Sequence, residues 1–222
     1  VPSPFPEENR LVLAIDDVDT TWKKRRAHYD RIASCIRRLS HPQGNVLTLF
    51  PSYAFLNAVH DRLQVPHHRV LVQHSGSSDA DQREIMEALK NGEPHLLLAV
   101  LGGIFAEGID YPGEMLSQVM VVSPGLPQFN VERELLKGYY QETYEHGFGY
   151  AYLIPGMTRV VQAAGRLIRS DTDRGVITLI GKRFLDSRYA RLLPEEWLDD
   201  EGVPKVEWEV QPPSGEARLD PE

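Results

Sequence analysis

Cysteine is almost missing. Cys35 stands alone in 222 residues, which excludes an internal disulfide framework and a self-contained cysteine metal cluster. An intracellular, reducing compartment is the expectation. No apolar run approaches the length of a membrane span, and no signal-peptide pattern is present, so no membrane partner is expected. There is no initiator methionine: the chain opens on Val1 with Pro2, Pro4 and Pro6 close behind. It therefore reads as a piece of a longer polypeptide. No G-x-x-x-x-G-K-[ST] phosphate loop occurs. The nearest approach runs from Gly175 to Lys182, where the glycines stand one residue too far apart and Arg183 replaces the Ser/Thr. No apolar strand ends in an acidic run that could hold Mg²⁺. Net charge is −8, which argues against a generic polyanion-binding surface but not against a local basic groove.

What is present is ordinary globular composition, 41% hydrophobic and 25% charged, arranged in alternation. Short apolar runs at residues 11–15, 45–50, 69–73, 95–101, 118–123 and 176–180 read as strands. Helical spacing is expected over 22–39, 52–63, 79–90, 129–144, a segment from Pro155 through residue 169, and 186–193. Residues 22–39 carry Lys23, Lys24, Arg25, Arg26, Arg31, Arg37 and Arg38 on one face, read as solvated. Strands alternating with helices predict an α/β domain, a parallel sheet covered by helices. Its boundaries are put at 11–193, after an extended segment 1–10 and before an acidic, proline-containing tail, 194–222, with little packing.

Ligands of such sheets bind at the carboxyl ends of the strands, so the loops there are where chemistry is expected. Phe50-Pro51-Ser52-Tyr53 ends a strand and places Ser52 at a helix start, suited to capping or to an anion. Gly102-Gly103-Ile104-Phe105-Ala106-Glu107-Gly108-Ile109-Asp110 is glycine-rich, with two carboxylates that can accept ribose hydroxyls or hold an arginine. In Gln162-Ala163-Ala164-Gly165-Arg166-Leu167-Ile168-Arg169, helical spacing puts Arg159, Gln162, Arg166 and Arg169 on one stripe with Gly165 mid-helix. Guanidinium forks suit phosphate; a solvated face is the alternative. Beside the glycine-rich loop at the sheet's carboxyl edge, the stripe is expected to meet Glu107 and Asp110. The chain then has arginines for a nucleotide but no cradle for its phosphates, like half of a site.

Together these motifs resemble the second motor domain of superfamily 2 helicases of the XPD/DinG (Rad3-related) type, from Ser3 to about Tyr189. S-P-F-P-E-E-N-R looks like the crossover from the first motor domain, F-P-S-Y like motif IV, G-G-I-F-A-E-G-I-D-Y-P-G like motif V and Q-A-A-G-R-L-I-R like motif VI. The D-R-G and K-R-F that follow also fit. Gly181 departs from the family, which often has Asp there.

The resemblance implies a RecA-like fold and, for the intact protein, ATP-dependent 5′-to-3′ DNA unwinding. Its Walker motifs, most of the ATP–Mg site and often an iron–sulfur cluster would lie in the absent first half, with none in this chain. Residue by residue, Gln162 and Arg166 would contact nucleotide phosphates and Arg169 would be the arginine finger. Gly108, Asp110 and Glu107 would serve the ribose or the finger. Ser52, Tyr53, Gly103 and Phe105 would line the single-stranded DNA track. The first motor domain and single-stranded DNA are the implied partners; the location is cytoplasmic and nucleoid-associated in a bacterium, otherwise intracellular. The rival readings are a non-catalytic RecA-like protein-interaction module and a stand-alone nucleotide-binding regulator.

Overall fold

The computed structural model describes residues 6–168 and 170–205. Six strands form one all-parallel sheet: β1 (Arg10–Ile15), β2 (Val46–Phe50), β3 (Arg69–Val72), β4 (His95–Val100), β5 (Gln118–Val122) and β6 (Gly175–Ile180), in the order β1-β6-β5-β2-β4-β3. The near-continuous apolar sequence of β2, β4 and β5 follows from burial on both faces. Strand β4 lies next to the edge strand β3, while β5 and β2 hold the centre.

Alternate side chains of each strand feed two cores. On one face Leu47, Leu49, Val119 and Val121 pack with Met157, Val160 and Ala163 of α6 (Ile154–Ala164) and Ile85 and Leu89 of α3 (Asp79–Lys90). On the other, Val46, Phe50 and Met120 pack with Ile32 and Ile36 of α1 (Tyr29–Leu39) and Phe55, Leu56 and Val59 of α2 (Tyr53–His60). Shorter or more exposed among the described residues are α4 (Ile104–Glu107), α5 (Val131–Tyr144) and α7 (Ser187–Ala190). Among the described residues no helix is long and apolar enough to cross a membrane.

Three sequence expectations fail here. Residues 22–28 are a turn and a 3₁₀ segment (Arg25–His28), and the α-helix starts only at Tyr29. Arg25 instead lies over the rings of Trp22 and Phe55, a tertiary contact that overrides the local helical pattern. The arginine-bearing helix stops at Ala164, with Gly165 as its C-cap. Leu167 and Ile168 still bury, from a turn rather than a helix, which is why the apolar periodicity continues past the true end. Third, the described part of the supposed tail packs. Trp197 is buried with Leu193 against the α6 core, and the Lys205 carbonyl accepts a hydrogen bond from Ala14 N–H on β1 at 2.8 Å. Residues 206–222 lie outside the described residues.

Candidate functional site

Strand connections decide where the arginines stand. In a parallel sheet the helix after β5 must run back to the start of β6. The first turn of α6 therefore sits at the carboxyl edge, where its Gly156 carbonyl approaches Gly125 beyond β5. The last turn sits near the amino end of β6, where Leu167 packs so tightly on Gly175 that a Cβ there would lie 2.6 Å from Leu167 Cδ2. Arg166 thus stands away from the carboxyl edge, contrary to the sequence expectation. The glycine-rich segment reaches it because it too turns back, through α4, towards the start of β5.

Arg166 joins the two segments. Its Nη1 donates to the Ile109 carbonyl and its Nη2 to the Glu107 carbonyl. The partners are backbone carbonyls, not the carboxylates anticipated. Its Nε is buried without a partner, so two of five guanidinium donors are committed and the fork is fixed in orientation. Gln162 is exposed one helical turn earlier, and Arg159 is half-buried. Glu107, Gly108 and Asp110 are exposed on the facing segment. Arg169 lies outside the described residues. Beside this lip a cleft of about 480 Å³ opens between α3 and α4, lined by Asp79, Gln82, Arg83, Met86, Ile104 and Ile109.

The glycine-rich segment is held from beneath. Tyr111 hydroxyl donates to the Phe105 carbonyl at 2.8 Å, and burial pushes the phenol's pKa well above its ordinary value, against the opposing field of Arg166. Gly103 caps α4; a Cβ there would lie 2.9 Å from Gln73 Nε2 and 3.0 Å from Val100 Cγ2. Phe105 is wholly buried in the α6-side core. Its ring cannot stack on a base, so its assignment to a DNA track is withdrawn: it anchors α4. Ser52 caps α2, its hydroxyl accepting from Phe55 N–H at 3.3 Å, and Tyr53 is half-buried beside it.

A second polar centre, at the carboxyl edge, was not anticipated as a unit. Arg183 Nη2 donates to Ser123 Oγ at 2.7 Å; Ser123 is buried and holds a left-handed φ of 76°, a conformation that costs a non-glycine residue about 1–3 kcal/mol. Asp19 accepts from Thr21 N–H at 3.0 Å and Thr21 Oγ1 at 2.6 Å, and pairs with Lys182 Nζ at 2.9 Å. Gly181 has a φ of 135°, and a Cβ on it would meet Thr20 Oγ1 at 3.0 Å. The Gly at this strand end thus fits the close approach of the 16–21 loop, and its N–H pairs with the Ile15 carbonyl at 2.9 Å. The K-R-F triplet was the available signal; Gln73, buried with its Oε1 accepting from Val100 N–H, left none beyond its place at a strand end.

The family model of the helicase C-terminal domain matches residues 36–200. The chain belongs to that family, in its XPD/DinG branch. It is 29% identical over 197 residues to the ATP-dependent DNA helicase DinG of Photobacterium profundum, covering 86% of this chain and 28% of that protein. It is 27% identical over 205 residues to a probable ATP-dependent helicase of Methanocaldococcus jannaschii, covering 83% and 30%. A solved XPD helicase shares the fold with a TM-score of 0.67, at 23% identity, over 82% of this chain and 33% of that one. The domain is a RecA-like helicase motor domain, and it spans under a third of the length of these curated relatives.

Proposed function

We propose that this domain supplies one lip of an ATP cleft and part of a single-stranded DNA track, completed by a companion motor domain of the same polypeptide that unwinds DNA 5′ to 3′. The observation that carries the ATP half is Arg166. Its clamp on the Glu107 and Ile109 carbonyls ties the two motif-bearing segments into one body, so that Gln162, Glu107, Gly108 and Asp110 are presented together. Gln162 and Arg166 would contact phosphates, Asp110 and Glu107 would serve ribose or the finger, and Arg169 would be the arginine finger. Preorganised guanidinium groups stabilise charge developing on a transferring phosphoryl group. In this reading Mg²⁺ would be held mainly by the companion domain, which would carry the Walker motifs and any iron–sulfur cluster.

Binding of ATP between the two domains would close them, and release of phosphate would free the arginines and reopen the cleft, a ligand-driven hinge. Ser52, Tyr53 and the backbone at Gly103 remain the track residues of this reading. The test is Arg169→Ala in the full-length protein. ATP turnover is expected to fall by about 10³-fold or more, the range of arginine fingers in GTPases, while DNA binding persists. Near-normal ATPase would remove Arg169 from that role. The 222-residue chain alone is expected to have no ATPase; DNA-stimulated hydrolysis by the purified chain would refute the half-site reading.

A further inference from the structure

The turn misread as helix builds a surface that neither the motifs nor the family assignment requires. Trp22 is 76% exposed, a large aromatic body left in water at the carboxyl end of β1. Arg25 lies beneath it, its guanidinium carbon 4.2 Å from the indole centroid and 4.9 Å from that of Phe55. Tyr29 continues the row, 5.4 Å from Phe55 between ring centroids. Lys23 and Arg26 flank the row exposed, and among the described residues neither they nor Arg25 has a carboxylate within ion-pair distance. Small Ala54 and Ala58 on α2 form the floor of a groove of about 620 Å³ bounded by Trp22, Lys23, Arg25, Arg26 and Tyr29. It adjoins the Ser52-capped start of α2.

On a chain of net charge −8, this is a local basic groove with an aromatic shelf. Unpaired cations attract a polyanion, and an exposed indole offers a sequence-tolerant face for a flat heterocycle. A folded acidic protein would satisfy the cations but leave the indole unused; a duplex would keep its bases stacked out of reach. We infer that the Trp22–Arg25–Tyr29 groove binds single-stranded nucleic acid, one base stacking on Trp22 and the adjacent phosphates pairing with Lys23 and Arg26. This rests on the proposed DNA reading and extends it to the β1–α1 turn, which the F-P-S-Y and glycine-rich motifs do not include. Arg25 is a positioning residue, held by the two rings so that it stiffens the shelf.

The test is fluorescence anisotropy of a short labelled oligothymidylate with the purified chain, as a function of salt. Trp22→Ala is expected to weaken binding about tenfold, within the range seen for loss of one base–aromatic stack. Trp22→Phe should recover most of that loss, a rescue that a purely structural role would not give. Lys23→Gln and Arg26→Gln should each flatten the salt dependence by about 0.7 in log–log slope, the value for one phosphate on a single strand. Unchanged thermal unfolding of each variant keeps folding out of the comparison. Wild-type affinity in Trp22→Ala and in the Lys23→Gln, Arg26→Gln double variant would overturn the groove and leave the DNA reading standing. Failure of the wild-type chain to bind any single strand would overturn both.

Discussion

Arg166 and Arg25 lie on opposite faces of the same sheet, and among the described residues no carboxylate holds either one. Arg166 is gripped by two carbonyls, with its Nε buried and unpaired. Hydrogen bonds of that kind fix both direction and distance. Arg25 is gripped by two rings, an attraction that tolerates tilt and sliding. One holder suits a charge that must meet a single geometry; the other suits a surface that must accept any base. The difference also shows in the surroundings. The Arg166 turn is set on a helix docked backbone to backbone, whereas the Arg25 turn projects beside exposed side chains.

The strongest way to break this comparison is to replace each arginine by lysine. An ammonium is a point charge and cannot span the Glu107 and Ile109 carbonyls as a fork does. Arg166→Lys in the full-length protein is therefore expected to reduce DNA-stimulated ATP turnover by about 10²-fold or more, comparable to loss of one preorganised transition-state donor. Arg25→Lys keeps a cation over the rings, and should cost much less oligonucleotide affinity than Arg25→Ala. If Arg166→Lys turns over ATP like the wild type in steady-state assays, the fork has no special part and the distinction collapses.

Stability sharpens the same contrast with a smaller effect. Gly156 in the first turn of α6 lies against the β5–α5 loop, where an added Cβ would sit 2.9 Å from Leu126 Cα and 3.0 Å from its N. Backbone atoms cannot swing aside, so Gly156→Ala must shift the helix that carries the lip. A loss of about 1–3 kcal/mol in denaturant unfolding is expected, the usual range for overpacking. Trp22→Ala removes an exposed side chain and should stay within about 0.5 kcal/mol of wild type. Equal losses would mean that the Trp22 turn is a structural part of the fold rather than a surface feature.

These contrasts also explain what was legible in the sequence. Strands β2, β4 and β5 were readable because burial on both faces makes them continuous apolar runs. Helix α3 was readable from its helical spacing over 79–90, and the structure adds a Ser78–Asp81 capping box at its start; Ser52 announced α2 locally. Ends set by tertiary contacts were not. Gly165 is compatible with a mid-helix position or a cap, and only the packing of Leu167 on Gly175 decides that the chain has already turned. Phe105 sits among glycines and acids that look like a ligand loop, yet its side chain points into the core. The acidic residues around Trp197 disguised a segment whose Trp197 buries and whose Leu198 packs half-buried against the same core. Direction was the other hidden quantity: spacing put the arginines on one stripe, but only the return of α6 across the sheet places Arg166 near the amino end of β6.

The last contrast concerns the root of the Trp22 turn. Asp19 sits there, buried, taking bonds from Thr21 and Lys182. Burial by itself raises a carboxylate's pKa; the Thr21 and Lys182 bonds and the ammonium's charge overcome it and hold Asp19 well below its ordinary 3.8. A folded-state pKa below the unfolded value means that the unfolded chain takes up the proton first. The contribution of Asp19 is therefore fully present above the ordinary carboxylate value and is lost progressively as pH falls below it. Asp19→Asn should destabilise the chain at neutral pH by about 1–3 kcal/mol, the range for a broken buried charged hydrogen bond. The gap between variant and wild type should narrow as urea unfolding is repeated at decreasing pH below about 4. A gap between Asp19→Asn and wild type that stays constant across this acid range would place the proton uptake elsewhere and detach the Trp22 turn from its Asp19–Lys182 root.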